Sequence, residues 1–232
     1  DGRPCIEMGS RRTHEEAAVA AARAAHLVGF AATSNLAAGR RHGVPTTGTS
    51  AHSFTLLHDS ERDAFTAQVE SLGSGTTLLV DTYDVREAIA TAVEVAGTDL
   101  GAIRIDSGDL LSVARQVRRQ LDDLGARGTR IVVTSDLDEH AIAALAAAPV
   151  DGYGVGTSLV TGSGVPTSGF VYKLVAREDD AGDMVAVQKR STAKASRGGR
   201  KFAVRRSTED VATSEVVGVG AVLAGIVLAQ TA

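Results

Sequence analysis

The sequence lacks tryptophan, and aromatic residues of all kinds make up only 3% of its 232 residues. With so few large rings, the core must be built mainly from alanine, valine, leucine and isoleucine, which suits parallel strands covered by alanine-rich helices. The sequence also holds a single cysteine, Cys5, which excludes an internal disulfide and fits a reducing compartment. We therefore expect a cytoplasmic α/β protein.

Strong net charge and long apolar segments are also missing. The formal net charge of −4 gives no general attraction to nucleic acid. No charged-then-apolar signal segment opens the chain. The longest apolar run, at 216–229, is rich in glycine and too short for a membrane helix. We expect neither a nucleic-acid partner nor a membrane partner.

A regular alternation of strand and helix patterns fills the middle of the chain. Four apolar segments each end in polar residues, and one helix pattern of similar length separates each segment from the next. The polar ends are Asp81 with Asp84; Arg104 with Asp106 and Asp109; Ser135 with Asp136; and Gly156 with Thr157 and Ser158. This periodicity is typical of parallel strands in a β/α barrel, whose ligand site is built from several strand ends.

The segment 103–109 carries the strongest chemical signal. Branched apolar residues alternate with charged ones before a Ser-Gly-Asp turn, so Arg104, Asp106 and Asp109 fall at a strand's C-terminal end. Ligand sites of α/β sheets lie at that end. Either the guanidinium binds a phosphate while the acids hold sugar hydroxyls or Mg²⁺, or the group is a structural salt bridge.

The first part of the chain adds basic and hydroxyl groups at strand ends. Arg12 follows a predicted strand at 5–8 and precedes a helix that Thr13 is expected to cap. It is either an anion-binding group at that helix N-terminus or half of a solvated basic pair. A second predicted strand, at 29–35, ends in polar side chains that include Ser34.

A third predicted strand end, at 46–54, is rich in hydroxyls and contains His52. A histidine among small hydroxyl residues is a candidate nucleophile, base or phosphate ligand. The commoner role of a lone histidine is a structural hydrogen bond, so both interpretations stay open. No spacing of histidine, cysteine and aspartate indicates zinc.

The pattern changes after residue 164. Antiparallel strands are predicted at 171–176 and 184–188, and a dense basic loop follows at 189–201. That loop is a solvated surface, a nucleic-acid patch, or a lid over an anionic small molecule. It has no interleaved aromatics for base stacking, which favours the surface or the lid. The domains we expect are a partial barrel core at 1–164, antiparallel strands with the basic loop at 165–220, and a divergent apolar tail at 221–232.

Nine short motifs, taken in order, resemble those of the nicotinate phosphoribosyltransferase family. They lie at 7–12, 32–35, 48–53, 80–84, 104–109, 135–138, 154–159, 172–175 and 189–191. The resemblance implies a TIM-like β/α barrel of the type II phosphoribosyltransferases, here incomplete, followed by a small antiparallel β segment. It also implies a reaction of NAD salvage: nicotinate, phosphoribosyl pyrophosphate and ATP give nicotinate mononucleotide, pyrophosphate, ADP and phosphate.

The resemblance assigns three catalytic residues. His52 matches the histidine that ATP phosphorylates, a role that suits an imidazole because its neutral nitrogen attacks phosphorus. Arg104 and Asp106 match the group that holds the ribose and pyrophosphate of the donor. Mg²⁺ would neutralise the pyrophosphate, with Asp109 as its ligand. Asp106 or Asp81 would stabilise an oxocarbenium-like transition state.

Further substrate contacts follow from the same resemblance. Arg12 would bind the pyridine carboxylate, and the turn that begins at Gly156 would hold the 5′-phosphate. The substrate-binding residues that it implies are Arg12, Ser34, Asp81, Asp109, Asp136, Gly156, Thr157, Ser158 and Lys189.

Two departures from the family bear on activity. Family members have an additional domain and the first part of the barrel before the motif at 7–12, and that region helps to supply the aromatic that stacks on nicotinate, often across a homodimer. Residues 221–232 also lose the family pattern. We expect the chain alone to have little or no activity.

Two other functions remain open. A different phosphate-binding barrel enzyme, such as an aldolase, would need a strand-end lysine or a glutamate base, and no strand before Gly156 ends in lysine. A degenerate barrel would act as a non-catalytic binding or scaffold protein. The intact His52, Arg104 and Asp106 argue against that decay.

Overall fold

We describe the fold from a computed structural model that covers residues 2–162, 171–191 and 195–220. The tail predicted at 221–232 and the domain boundary predicted after residue 164 lie outside these ranges. The described residues form two compact units. The first comprises 2–162 with Val171, Arg190 and Ser191, and the second comprises 172–189 with 195–220.

A six-stranded sheet forms the centre of the first unit. Its strands are β1 (Cys5–Glu7), β2 (Ala32–Thr33), β3 (Thr77–Leu79), β4 (Ala102–Ile105), β5 (Arg130–Val133) and β6 (Gly152–Val155). They lie in the order β2-β1-β6-β5-β4-β3, and all five pairings are parallel. The predicted α/β class is confirmed. Because β6 pairs with β1, the edge strands of this sheet are β2 and β3, which do not pair with each other.

Helices connect these strands. They are α1 (Glu15–Leu27), α2 (Leu36–His42), α3 (His52–Leu57), α4 (Glu61–Leu72), α5 (Val85–Ala96), α6 (Leu110–Asp123), α7 (Glu139–Ala144) and α8 (Thr157–Thr161). Asp84, Asp109 and Asp138 each accept the backbone N–H three residues further on, which caps α5, α6 and α7. Some of the acids that follow the strands therefore begin the next helix.

Aliphatic side chains build the core between sheet and helices, as the composition predicts. Leu78, Ile103 and Ile131 from the strands are fully buried, as are Ile89 of α5 and Leu121 of α6. At 25 cal/mol per Å² of buried apolar surface, such residues supply most of the favourable free energy of folding. The core fixes the strands, and the strands fix the polar residues at their ends.

Glycine allows β1 and β6 to end side by side. An ideal Cβ on Gly9 would lie 2.3 Å from Cγ1 of Val160 and 2.9 Å from the carbonyl oxygen of Gly156. Met8 donates its N–H to the carbonyl of Val155 at 2.7 Å, which continues the pairing beyond the strands. The close approach of these two chain segments requires a residue without a side chain.

Two local predictions in the first unit are wrong. No strand covers 46–54: Thr46 makes an isolated parallel bridge with Thr33, and His52 is the first residue of α3. Hydroxyl residues with β propensity do not form a ladder there without a continuous partner strand. The cap of α1 is His14, whose Nδ1 accepts the N–H of Glu16 at 3.3 Å, and Thr13 precedes it.

The second unit consists of two antiparallel hairpins. Its strands are β7 (Ala176–Glu178), β8 (Met184–Ala186), β9 (Lys201–Thr208) and β10 (Val211–Val219). The predicted antiparallel pairing is confirmed, but β7 begins at Ala176, where the strand predicted at 171–176 ends. Glu209 and Asp210 join β9 to β10 with φ of +51° and +60°, the left-handed backbone of a tight hairpin turn. Within the described ranges, no helix is long and apolar enough to cross a membrane.

Candidate active site

The polar residues that follow the strands of the first unit lie along one edge of its sheet. Parallel strands bring their carboxyl ends to the same edge. The structure places Asp81 after β3, Asp106 after β4, Asp136 after β5 and Gly156 after β6. Arg104 belongs to β4 itself.

His52 is the centre of the closest cluster at this edge. Its Nδ1 lies 3.0 Å from Oγ1 of Thr82, while its Nε2 faces Asp81 Oδ1 at 3.7 Å and Asp106 Oδ2 at 3.6 Å. Two carboxylates facing Nε2 favour a proton on that nitrogen, which leaves the lone pair on Nδ1. Its side chain is 20% exposed, so a solute can reach the ring.

Asp81 is the most deeply buried acid of the cluster, with its side chain 1% exposed. The hydroxyl of Ser107, in the loop after β4, donates to Asp81 Oδ2. That contact occupies one carboxylate oxygen and leaves Oδ1 on the side of His52. A buried carboxylate needs such donors because desolvation disfavours its charge.

Arg104 is held by three side chains. Its Nη2 donates to Asp106 Oδ1 at 3.1 Å, its Nη1 to Thr49 Oγ1 at 2.7 Å, and its Nε to Thr134 Oγ1 at 2.9 Å. These contacts use three of the five N–H donors of the guanidinium. An ion pair is therefore present, as one interpretation of this segment expected. The group also lies at the carboxyl edge of the sheet, where Asp106 faces both Arg104 and His52.

Thr134 contacts both Arg104 of β4 and Asp106, which follows β4. Its hydroxyl accepts from Arg104 Nε and donates to Asp106 Oδ1. Just after it, Ser135 and Asp136 have φ of +104° and +46°, a backbone that residues with side chains seldom adopt. Such backbone conformations cluster at functional sites. Here they occur at the end of β5, where Asp136 is exposed.

The remaining predicted residues of the first unit lie at the ends of β1, β2 and β6. Arg12 is half-buried and closes a helical turn by donating its N–H to the carbonyl of Gly9 at 2.8 Å. Ser34 is exposed after β2, and its N–H donates to the carbonyl of Glu7 at 2.8 Å. Gly156 precedes α8, whose first residues are Thr157 and Ser158. These residues share the sheet edge with the His52 cluster.

Two predicted residues stand apart from the others. Asp109 is exposed, and its Oδ1 accepts the N–H of Ser112 at 3.4 Å as the cap of α6. Lys189 belongs to the second unit, where its N–H donates to Ser196 Oγ at 2.9 Å. A role for Lys189 at the site of the first unit stays a prediction.

Sequence reasoning missed the neutral residues of the cluster. Thr49, Thr82, Ser107 and Thr134 contact the charged groups, although each lies inside or beside a motif that the sequence singles out. Hydroxyl residues are common in loops, so their identity alone gives no signal. Thr82, Ser107 and Thr134 are distinguished by their position within three residues of a strand end, whereas Thr49 follows no strand.

A further acid, Glu61 at the start of α4, is also unexpected. Burial, reinforced by the charges of Asp81, Asp84 and Glu87, raises its pKa to about 8. In the described part of the chain its Oε1 is buried without a hydrogen-bond partner. A carboxyl group so placed is protonated at neutral pH.

No three metal-binding side chains converge in the described ranges to form a preformed metal centre. Mg²⁺ commonly takes one or two carboxylates and receives its other ligands from water and substrate phosphates. The exposed carboxylate of Asp109, three residues from Asp106, fits that kind of donor set.

Comparison with known proteins gives one consistent result. Residues 4–216 match the model of the "Nicotinate phosphoribosyltransferase (NAPRTase) family". The chain is 66% identical over 214 residues to nicotinate phosphoribosyltransferase pncB1 of Mycobacterium tuberculosis, a match that covers 89% of this chain and 47% of the relative. It is 43% identical over 189 residues to nicotinate phosphoribosyltransferase of Bacillus subtilis, covering 78% of this chain and 38% of the relative.

A solved structure resembles the fold. The crystal structure of nicotinate phosphoribosyltransferase from Porphyromonas gingivalis superposes with a TM-score of 0.72 at 21% identity, over 84% of this chain and 56% of that one. The chain therefore spans less than half the length of the curated relatives above, and just over half of this structure.

Proposed function

We propose, from the premise that this chain belongs to the nicotinate phosphoribosyltransferase family, that it carries the phosphohistidine and donor-binding part of that enzyme. The reaction joins nicotinate to phosphoribosyl pyrophosphate and couples this step to hydrolysis of ATP. One observation carries the proposal: at the carboxyl edge of the sheet His52 faces both Asp81 and Asp106, and Asp106 also pairs with Arg104.

The first chemical step is phosphorylation of His52. Its Nδ1 lone pair attacks the γ-phosphorus of ATP, the bond to the β–γ bridging oxygen breaks, and ADP leaves with that electron pair. The proton on Nε2 stays between Asp81 and Asp106, whose negative charges stabilise the cationic phosphorylated ring. Hydrolysis of the N–P bond later returns neutral His52 and phosphate.

The second step is transfer of the phosphoribosyl group. The nitrogen of nicotinate bonds to C1 of the ribose as the bond from C1 to the pyrophosphate oxygen breaks, and pyrophosphate takes the electrons. Three of the five N–H groups of Arg104 contact protein side chains. The other two can donate hydrogen bonds to oxygens of phosphoribosyl pyrophosphate. The charge of Asp106 or Asp81 would stabilise the oxocarbenium character of C1.

Magnesium enters this proposal with the pyrophosphate of the donor. Asp109 would hold the ion, and the ion would neutralise the charge that develops on pyrophosphate. The exposure of the Asp109 carboxylate supports the assignment, because a metal that arrives with substrate needs an accessible ligand.

The other substrate contacts are proposed from position along the same edge. Arg12 would pair with the nicotinate carboxylate, with Ser34 near the ring, and the turn at 156–158 would hold the 5′-phosphate. Asp136, after β5, would contact the ribose. A phosphate contact of Lys189 is proposed from the family resemblance alone. The adjacency of β1, β2 and β6 supports the contacts proposed for Arg12, Ser34 and the turn at 156–158, because these residues follow those three strands.

We also propose that the sheet is part of a TIM-like barrel. The return of β6 to β1 is the pairing expected where a barrel closes, and the break falls between β2 and β3. The segment after β2 contacts strands on both halves of the sheet: Thr46 bridges to Thr33 of β2, and Thr49 accepts a hydrogen bond from Arg104 of β4. We expect the working form to be a homodimer in the cytoplasm. Light scattering of the purified protein tests the dimer.

Labelling with [γ-³²P]ATP tests the proposed function. We expect an acid-labile phosphate on the purified protein that His52→Ala abolishes. His140→Ala is the matched control, because the His140 side chain is 86% exposed on α7, and it should label like the wild type. Equal labelling of His52→Ala and wild type would contradict the proposal, as would a wild-type protein that takes up no phosphate.

A further inference from the structure

We propose that Ser107 is a positioning residue that acts through Asp81 to keep the proton of His52 on Nε2. This inference deepens the proposed function and rests on it for its catalytic consequence. It rests on the structure alone for its effect on the tautomer of His52. Neither the family match nor the named relatives assign a role to Ser107.

The geometry around Asp81 carries the inference. The Ser107 hydroxyl donates to Oδ2, and the opposite oxygen, Oδ1, faces His52 Nε2. Both Asp81 and Ser107 are buried, at 0% and 7% exposure, so bulk water does not compete for this bond. A charge-assisted hydrogen bond in such surroundings fixes the plane of the carboxylate and therefore the direction of its second oxygen.

The second carboxylate shows the same arrangement. Thr134 donates to Asp106 Oδ1, while Asp106 Oδ2 faces His52 Nε2. In each case an acid at the end of one strand is held by a hydroxyl that follows the neighbouring strand: β3 with β4, and β4 with β5. The repetition indicates a device that directs one oxygen of each acid towards the histidine.

Each acid has a hydrogen-bond donor on the oxygen that faces away from His52. Asp106 also pairs with Arg104, so loss of the Thr134 hydroxyl would leave it a second anchor. At Asp81 the Ser107 hydroxyl holds Oδ2. Removing it should therefore free the Asp81 carboxylate to turn, and weaken the preference for a proton on Nε2.

The test compares Ser107→Ala with Ser107→Thr, which keeps the hydroxyl. The tautomer of His52 is read from the ¹⁵N shifts of its ring nitrogens, and its reactivity from the rate of labelling by [γ-³²P]ATP. We expect Ser107→Ala to raise the fraction of the Nδ1–H form and to slow labelling about 10- to 100-fold. Ser107→Thr should recover most of both.

Ser112→Ala is the matched control, because Ser112 is exposed on the first turn of α6 and its hydroxyl contacts no acid of the cluster. It should leave both readings unchanged. Circular dichroism establishes that each variant is folded. If Ser107→Ala does not fold, Ser107→Cys takes its place, since a thiol is a much weaker donor of similar shape.

The outcomes separate this inference from the proposed function. A wild type that takes no label, combined with a tautomer that shifts in Ser107→Ala, would overturn the proposed function and support the role of Ser107. Normal labelling and an unchanged tautomer in a folded Ser107→Ala would overturn the role of Ser107 and leave the proposed function standing. A loss of stability with both readings unchanged would show that Ser107 is only structural, and would also overturn the inference.

Discussion

Asp81 and Asp106 direct one carboxylate oxygen each to the same atom, Nε2 of His52, at 3.7 and 3.6 Å. They come from the ends of neighbouring strands, β3 and β4. Two like charges this close to one nitrogen repel each other unless a proton or a cation lies between them. The arrangement therefore favours the tautomer of His52 that carries its proton on Nε2.

The charge of Asp106 should matter more than its shape. We predict that Asp106→Asn slows phosphorylation of His52 by roughly 100-fold, because the amide cannot stabilise the cationic phosphorylated ring. Asp99→Asn is the control, since Asp99 is exposed and precedes β4, at the opposite end of that strand from Asp106. A labelling rate within twofold of wild type in Asp106→Asn would refute the electrostatic role.

Glu61 should make the protein less stable as pH rises. Its pKa is raised to about 8 by burial and by Asp81, Asp84 and Glu87, from an ordinary value of 4.5. Between these values the folded state binds more protons than the unfolded state, so the free energy of unfolding falls with increasing pH. Below about 4.5 the penalty is absent, and above about 8 it is fully present.

Glu61→Gln removes this titration. We predict a gain of roughly 1–2 kcal/mol over wild type at pH 9, with little difference at pH 5, after allowance for solvent screening of a partly exposed group. Urea denaturation at several pH values measures it. Glu70→Gln, an exposed position on the same helix, should follow the wild-type curve. Parallel curves for wild type and Glu61→Gln would show that Glu61 titrates normally.

Thr134 should be needed for the alignment of Arg104 with Asp106. We predict that Thr134→Val weakens binding of phosphoribosyl pyrophosphate about fivefold to tenfold, because Arg104 Nε and Asp106 Oδ1 both lose the shared hydroxyl. Thr134→Ser retains the hydroxyl and should bind like the wild type. Equal affinity in all three proteins, measured by calorimetry, would mean that Arg104 and Asp106 align without it.

Gly9 should be required for the junction of β1 with β6. We predict that Gly9→Ala destabilises the fold by about 1–3 kcal/mol, because the added methyl group meets Val160 at 2.3 Å. Gly48→Ala is the control, since its added Cβ has no neighbour within 4 Å. Urea denaturation compares them, and a Gly9→Ala protein as stable as Gly48→Ala would contradict the close packing.

Periodicity predicted the parts of the fold that repeat. The strands β3 to β6 and their helices follow from apolar segments that end in polar residues, and the acids that cap α5, α6 and α7 reinforce the signal. Segment 46–54 does not form the predicted strand because its hydroxyl residues have strand propensity but no continuous partner, so His52 begins a helix instead. Strand pairing depends on tertiary structure, which local propensity does not predict.

The charged members of the site were predictable, and their neutral partners were not. His52, Arg104, Asp81 and Asp106 stand out in the sequence, and the structure brings them together. Ser107 donates to an acid 26 residues away, a relation that depends on the register between β3 and β4. The raised pKa of Glu61 likewise depends on burial, which its position at an ordinary helix start does not reveal.

The most direct test of the central claim is calorimetric titration of the purified protein with phosphoribosyl pyrophosphate and Mg²⁺. Arg115→Ala, an exposed position on α6, matches the charge change of Arg104→Ala and is the control. If the donor site is assembled as proposed, wild type and Arg115→Ala will bind alike, and Arg104→Ala will bind at least tenfold more weakly. Equal binding by Arg104→Ala, or no binding by the wild type, would contradict the account.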